Sequence, residues 1–146
     1  MRRIIYITSI LFIFLFINKS SSAQCMEFSK FECMSELEPY IYNGQYNAVT
    51  LAEGDVAELN LTFYSGQDYR IFVCCQDMLK KVEFKLYDIE RNLIYTSADH
   101  NYTEIWDFIA SSTQQLIIEV IVHKTSTGAN LQSGCVSIIV GFKESE

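Results

Sequence analysis

From Ala57 onward the chain alternates apolar with polar residues, and that period of two constrains its fold more than any other feature. Ala57, Leu59, Leu61 and Phe63 interleave with Glu58, Asn60 and Thr62, which describes a strand with one buried and one solvated face. Ser65-Gly66-Gln67-Asp68 turns the chain into a second apolar run, Tyr69 to Cys75. Val82, Phe84 and Leu86 then alternate with Glu83, Lys85 and Tyr87, and Glu90-Arg91-Asn92 joins them to Leu93-Ile94-Tyr95 as a hairpin. Trp106 and Phe108 flank Asp107 in a shorter strand, while Gln115 to Val122 is β-branched and apolar on both faces. Such a strand belongs in the middle of a sheet. Thr125 to Gly134 reads as loop, and Val136, Ile138, Val140 and Phe142 give the last strand its buried face. No helical crossover separates these strands, so a parallel α/β sheet is excluded. The expected fold is all-β, an antiparallel β-sandwich or jelly roll of about 7–8 strands, with Leu61, Phe84, Ile118 and Ile138 deeply buried.

Two segments of different character precede the strands. Met1-Arg2-Arg3, the apolar run Ile4 to Ile17 and the small residues Ser20-Ser21-Ser22-Ala23 form a secretory signal peptide over residues 1–23. That run is shorter than the roughly 20 residues a membrane span needs. A lipid anchor is disfavoured because Gln24, not a small residue, precedes Cys25. Cleavage after Ala23 is expected, with no stable membrane insertion afterwards. In residues 24–48, Ser29 and Glu32 match a capping box, and Phe31, Met34 and Leu37 recur at helical spacing up to Pro39. A short N-terminal helix from about Lys30 to Glu38 follows. Tyr40, Ile41, Tyr42, Asn43-Gly44 and Tyr46 then form an aromatic-rich connecting segment, and residues 49–146 form the sandwich.

Cleavage removes Arg2, Arg3 and Lys19, leaving eight basic against 18 acidic side chains and a formal charge of −10. Nucleic acid and anionic membrane surfaces are poor partners for such a chain. The leader sends it out of the cytoplasm, to a periplasmic, cell-surface or extracellular location. All five cysteines meet that oxidising compartment, so disulfides are expected rather than metal thiolates. Strand parity puts Cys75 on the inner face with Tyr69, Ile71 and Val73, and Cys74 on the outer face with Phe72 and charged Arg70. Cys135 likewise points outward with Ser137 and Gly141. Cys75 is therefore the expected free thiol, and Cys25, Cys33, Cys74 and Cys135 the disulfide formers. Local closure favours Cys25 with Cys33 and Cys74 with Cys135. A helix reaching back to residue 25 would break that local bridge and let both N-terminal cysteines staple the helix to the sandwich.

The strings LNLTFYSGQDYRIFVC, VEFKLYDIERNLIY, WDFIASSTQQLIIEV and GCVSIIVGF resemble a family of small, uncharacterised secreted proteins of Bacteroidota. More loosely, their order resembles the pre-peptidase C-terminal class of β-sandwiches appended to secreted enzymes. The resemblance runs from Tyr40 to Phe142 and implies a fold, with no activity attached. It also implies a bacterial source, in which the glycosylation acceptors Asn60-Leu61-Thr62 and Asn101-Tyr102-Thr103 carry no meaning.

Catalysis requires a nucleophile with a positioned acid and base, and no nucleophile elbow, zinc helix or phosphate loop occurs. Asp99-His100, Asp107 and His123 are the nearest to an acid–base cluster and read as polar loop residues. Asp88, Glu90 and Asn92 alternate with a spacing that suits calcium ligands, yet lack the glycine and terminal acid of a calcium loop; Asp55, Asp68 and Asp77 sit near strand ends. No catalytic residue, metal or cofactor is expected. Aromatic rings make platforms for sugar faces, which nominates Tyr40, Tyr42, Tyr46 and Trp106 as ligand-binding residues. The sequence thus points to a non-catalytic binding or accessory module with a protein or glycan ligand; a carbohydrate-binding module is the alternative, and a hydrolase, which would need Asp99, His100 and Asp107 to converge in a pocket, is the third and least favoured reading.

Overall fold

The computed structural model describes residues 21–128 and 130–144, so all but the last three residues of the expected leader lie outside the described residues. Two antiparallel sheets stack on each other. One holds β1 (Ile41–Tyr42), β2 (Asn47–Ala52), β4 (Gln67–Cys75), β7 (Ile105–Ile109) and β9 (Ser133–Glu144). The other holds β3 (Val56–Phe63), β5 (Val82–Tyr87), β6 (Leu93–Thr96) and β8 (Gln114–Val122). β1 and β2 share one edge of β9, with β4 and then β7 on the other side. The second sheet runs β3, β8, β5, β6, so the doubly apolar strand is indeed central. The fold is the antiparallel β-sandwich that the alternation predicts. It has nine strands among the described residues, since the aromatic-rich segment and the residues around Val49 add β1 and β2.

Inward side chains of both sheets meet in one core that contains Ile71, Val73, Phe84, Leu86, Ile118, Val120 and Ile138. Leu61 departs from expectation and is only half-buried. The reason is its place in the sheet, because β3 is an edge strand and β8 covers just one of its sides.

The N-terminal segment differs more. α1 (Ser21–Phe28) begins well before the expected helix and passes through a π turn at Ser29–Cys33 into a 3₁₀ turn at Met34–Leu37. The capping box does not form. Ser29 lies inside the helical run, buried, with its hydroxyl 2.7 Å from that of Ser137 on β9. The expected cleavage point after Ala23 falls in the first turn of α1. Among the described residues no helix is long and apolar enough to cross a membrane.

Helix from residue 21 also decides the disulfides. Eight helical residues rise about 12 Å, beyond the reach of a bridge, so the local pairing of Cys25 with Cys33 is overturned, and with it Cys74 with Cys135. Cys25 bonds Cys135 across 110 residues and Cys33 bonds Cys74 across 41. Both bridges staple the helical segment to the outer face of the first sheet. Arg70 marks that face as outward in the sequence, yet it is covered: Phe72 is 4% exposed and packs with Cys74 and Ile139 against Cys33, Leu37 and Tyr40. Arg70 turns its charge to use by binding both oxygens of Asp107 at 2.8 Å and donating to the carbonyls of Glu36 and Glu38. Gly141 makes room for the cover, since a Cβ there would lie 2.7 Å from Tyr40 Cβ and 2.8 Å from a Leu37 methyl.

Buried Glu53 pins the loop that follows β8. Its carboxylate accepts from the Thr125 hydroxyl and from the backbone N–H groups of Thr125, Ser126 and Gln132. Hydrogen bonds from Ser126 and then Thr125 pull its pKa from 4.5 down to about 2. A carboxyl depressed on folding adds stability above its unfolded pKa and loses it as pH falls through the folded value. Glu53→Gln is therefore expected to melt below wild type at pH 6, with the gap closing as pH falls from 4.5 towards 2. Melting curves across that range check it, and a gap independent of pH would contradict the assignment.

Candidate functional site

The hydrogen-bond parity of β3 defines an open seam. Val122 N–H donates to Asp55 C=O while His123 N–H donates to Lys81 C=O. Even-numbered residues of β8 thus bond towards β3 and odd-numbered ones towards β5. With Ala57 opposite Val120 and Leu61 opposite Leu116, the odd-numbered residues of β3 carry the ladder. Val56, Glu58, Asn60 and Thr62 turn their N–H and C=O groups to the free edge. Tyr64 N–H, next on that side, is taken by the Tyr69 hydroxyl at 2.9 Å.

Two cavities lie along this edge. The larger, about 550 Å³, is lined by the five consecutive residues Asn60 to Tyr64 together with Asn43, Gln45, Gln67, Tyr69, Val140 and Phe142. Consecutive strand residues point to opposite faces, so five in a row place the strand's backbone edge on the cavity wall. The smaller, about 250 Å³, continues between Ala57 to Leu59 and the facing Tyr46 to Val49. The larger cavity lies within the size range of ligand pockets, and none of its walls carries a charged side chain. Gln67 Oε1 is buried there with no protein donor, so it is an acceptor that a ligand's N–H or O–H can meet.

The mouth of the larger cavity is preorganised. Tyr64 is 62% exposed, yet its turn is held to the neighbouring loop by three bonds. Ser65 N–H donates to Thr113 Oγ1, Ser65 Oγ to Ser111 C=O and Gly66 N–H to Ala110 C=O. Gly66 takes a positive φ of 80° that this turn needs.

The aromatic candidates do not converge. Tyr40 is buried on the outer face between Arg70 and Lys143, with its hydroxyl donating to Asp68. Burial and then the charges of Asp107 and Asp68 raise its pKa. Tyr42 packs near Tyr46, ring centres 5.0 Å apart, and burial pushes its unpartnered hydroxyl up to about 12. Tyr46 alone of the four reaches the seam, in its smaller cavity. Trp106 stacks between Tyr95 and Phe108 against the inner core, on the opposite face of the first sheet from Tyr40. Sequence reasoning missed Tyr64 and the free edge; the Ser65-Gly66 turn signal marked the place without its exposure.

The acid–base candidates are dispersed as well. Asp107 is held by Arg70, His100 stacks on Tyr95 in the turn Ser97–His100 that also contains Asp99, and His123 lies 2.6 Å from buried Glu83. Asp88 accepts from the backbone and side-chain N–H groups of Asn92 and closes the β5–β6 hairpin. Asp55 accepts from Ala52 N–H, and Asp68 holds Lys143. Cys75 is a free, half-buried thiol in a third cavity of about 510 Å³ beside Lys80, Lys81 and Glu104. Burial, then Glu104 and Asp77, push it up to about 11.

No family model matches the sequence, and no curated protein does. Among solved structures the chain is similar to PliG of Aeromonas hydrophila, a periplasmic inhibitor of g-type lysozyme, with a TM-score of 0.51 at 10% identity. The likeness covers 72% of this chain and 89% of that one, and it is a likeness of fold.

Proposed function

We propose that this chain is an exported, non-catalytic binding protein that receives a protein partner in the seam along β3. The observation that carries this reading is the uncharged wall of the larger seam cavity. It offers backbone, amide, hydroxyl and aromatic groups and no carboxylate, imidazole, amine or thiol to move a proton. In the smaller seam cavity the carboxylate of Glu58 is engaged by Arg91, and the separate cavity that holds Cys75 keeps its thiol protonated at neutral pH. Two disulfides suit an oxidising compartment. PliG, the similar fold, inhibits a lysozyme, which supports a protein as the partner and makes a g-type lysozyme the first one to try.

The test compares the mature chain with Tyr64→Arg, which places a charge at the seam mouth. Purified g-type lysozyme and the secreted proteins of the source organism are passed over both. A protein held by the wild type and released by Tyr64→Arg supports the reading; retention by both overturns the site. A glycan array run in parallel addresses carbohydrate binding, favoured by the exposed Tyr64 ring beside Asn43 and Gln45. Seam-dependent capture of a glycan with no protein would replace the proposal by that second reading.

A further inference from the structure

We infer that the partner binds by strand addition, an extended segment of its chain pairing with the free edge of β3 as a fifth strand of the four-stranded sheet. The inference rests on the seam being the ligand site and specifies what enters it. Unpaired strand edges are templates for another strand, and folded proteins blunt them with prolines, bulges, inward charges or short length. β3 has none of these protections. It runs eight residues in unbroken register with β8, contains no proline or glycine, and its single charge, Glu58, is engaged by Arg91. The other edges are shorter: β6 has four residues, β7 five, β2 six and β1 two.

The walls fix the occupant's chemistry. Val56, Glu58, Asn60 and Thr62 offer backbone donors and acceptors in strand spacing, which a peptide backbone matches and a saccharide does not. Side chains of the added strand that point inward meet Leu59, Leu61, Val140 and Phe142 along two cavities without a free charge. The occupant is therefore an uncharged stretch matching β3's eight residues, with apolar side chains at alternate positions.

Parity supplies a test that separates backbone from side chain. Asn60 N–H points away from β8, so Asn60→Pro removes a free-edge donor and leaves the ladder intact, a placement edge strands tolerate. Asn60→Ala removes only the side chain. Octapeptides selected from a phage library on the intact mature chain serve as probes. They are expected to bind wild type and Asn60→Ala alike and to lose roughly tenfold or more on Asn60→Pro. Hydrogen exchange at Glu58, Asn60 and Thr62, fast in the free protein, should slow on binding, and that readout stands on wild type alone if the proline variant fails to fold.

Peptides that perturb Leu61 and Tyr64 but bind Asn60→Pro unweakened, with no exchange protection, overturn strand addition and leave the seam as the ligand site. Perturbations confined to other surfaces overturn both. A library that yields no binder, or a dimer in sedimentation whose exchange protection falls on Glu58, Asn60 and Thr62, overturns a foreign segment as the occupant.

Discussion

Replacing Cys25 and Cys135 together by serine is expected to lower unfolding stability by up to about 4–5 kcal/mol, the chain-entropy value for a loop of this size. The bridge joins residues 110 apart, so its loss frees the unfolded chain over nearly the whole domain. The Cys33–Cys74 bridge, nested inside with a separation of 41, still restrains part of that loop, which makes the figure an upper value. Both Cys25 and Cys135 are buried, and α1 would lose its covalent hold on β9. Denaturant midpoints of the double variant against wild type measure the change. A loss below about 1 kcal/mol would show that α1 is bound by packing and that the bridge adds little.

Why the pairing was hidden in the sequence while the sheets were not follows from what each depends on. Alternation at Ala57 to Phe63 and Val82 to Leu86 is a local pattern, and burial of Phe84, Ile118 and Ile138 follows once two faces must close on each other. The doubly apolar Gln115 to Val122 could only be central. Bridge partners depend on what covers the outer face, a tertiary fact. Arg70 reads locally as a solvent marker, and the segment that satisfies it with Glu36 and Glu38 carbonyls lies more than thirty residues upstream. Helix start failed likewise, because the Ser29 and Glu32 pattern for a cap competes with a buried Ser29–Ser137 contact the sequence does not announce. The platform chemistry of aromatic rings nominates Tyr40 and Trp106, whose rings the fold uses for packing on opposite faces. The seam was illegible for a further reason: whether a strand sits at an edge is decided by its neighbours, and β3's own alternation is the same in either place.

That difference between edge and centre has an energetic reading in a single pair of residues. Leu61 on β3 and Leu116 on β8 face each other across the ladder, carry the same side chain and belong to the same core. Leu116 is 1% exposed, whereas Leu61 borders the larger seam cavity and is half-buried. Leu116→Ala opens a hole among packed neighbours and is expected to destabilise by about 2–5 kcal/mol. Leu61→Ala removes a side chain already missing contacts on its open side. Its expected loss is less than half as large, about 1–2 kcal/mol, from transfer of the removed methyl groups. Chemical denaturation of the two variants decides it, and equal losses would mean the seam is closed in solution. With a seam-bound segment present the order should narrow, because the added strand would complete the packing around Leu61 and leave Leu116 untouched.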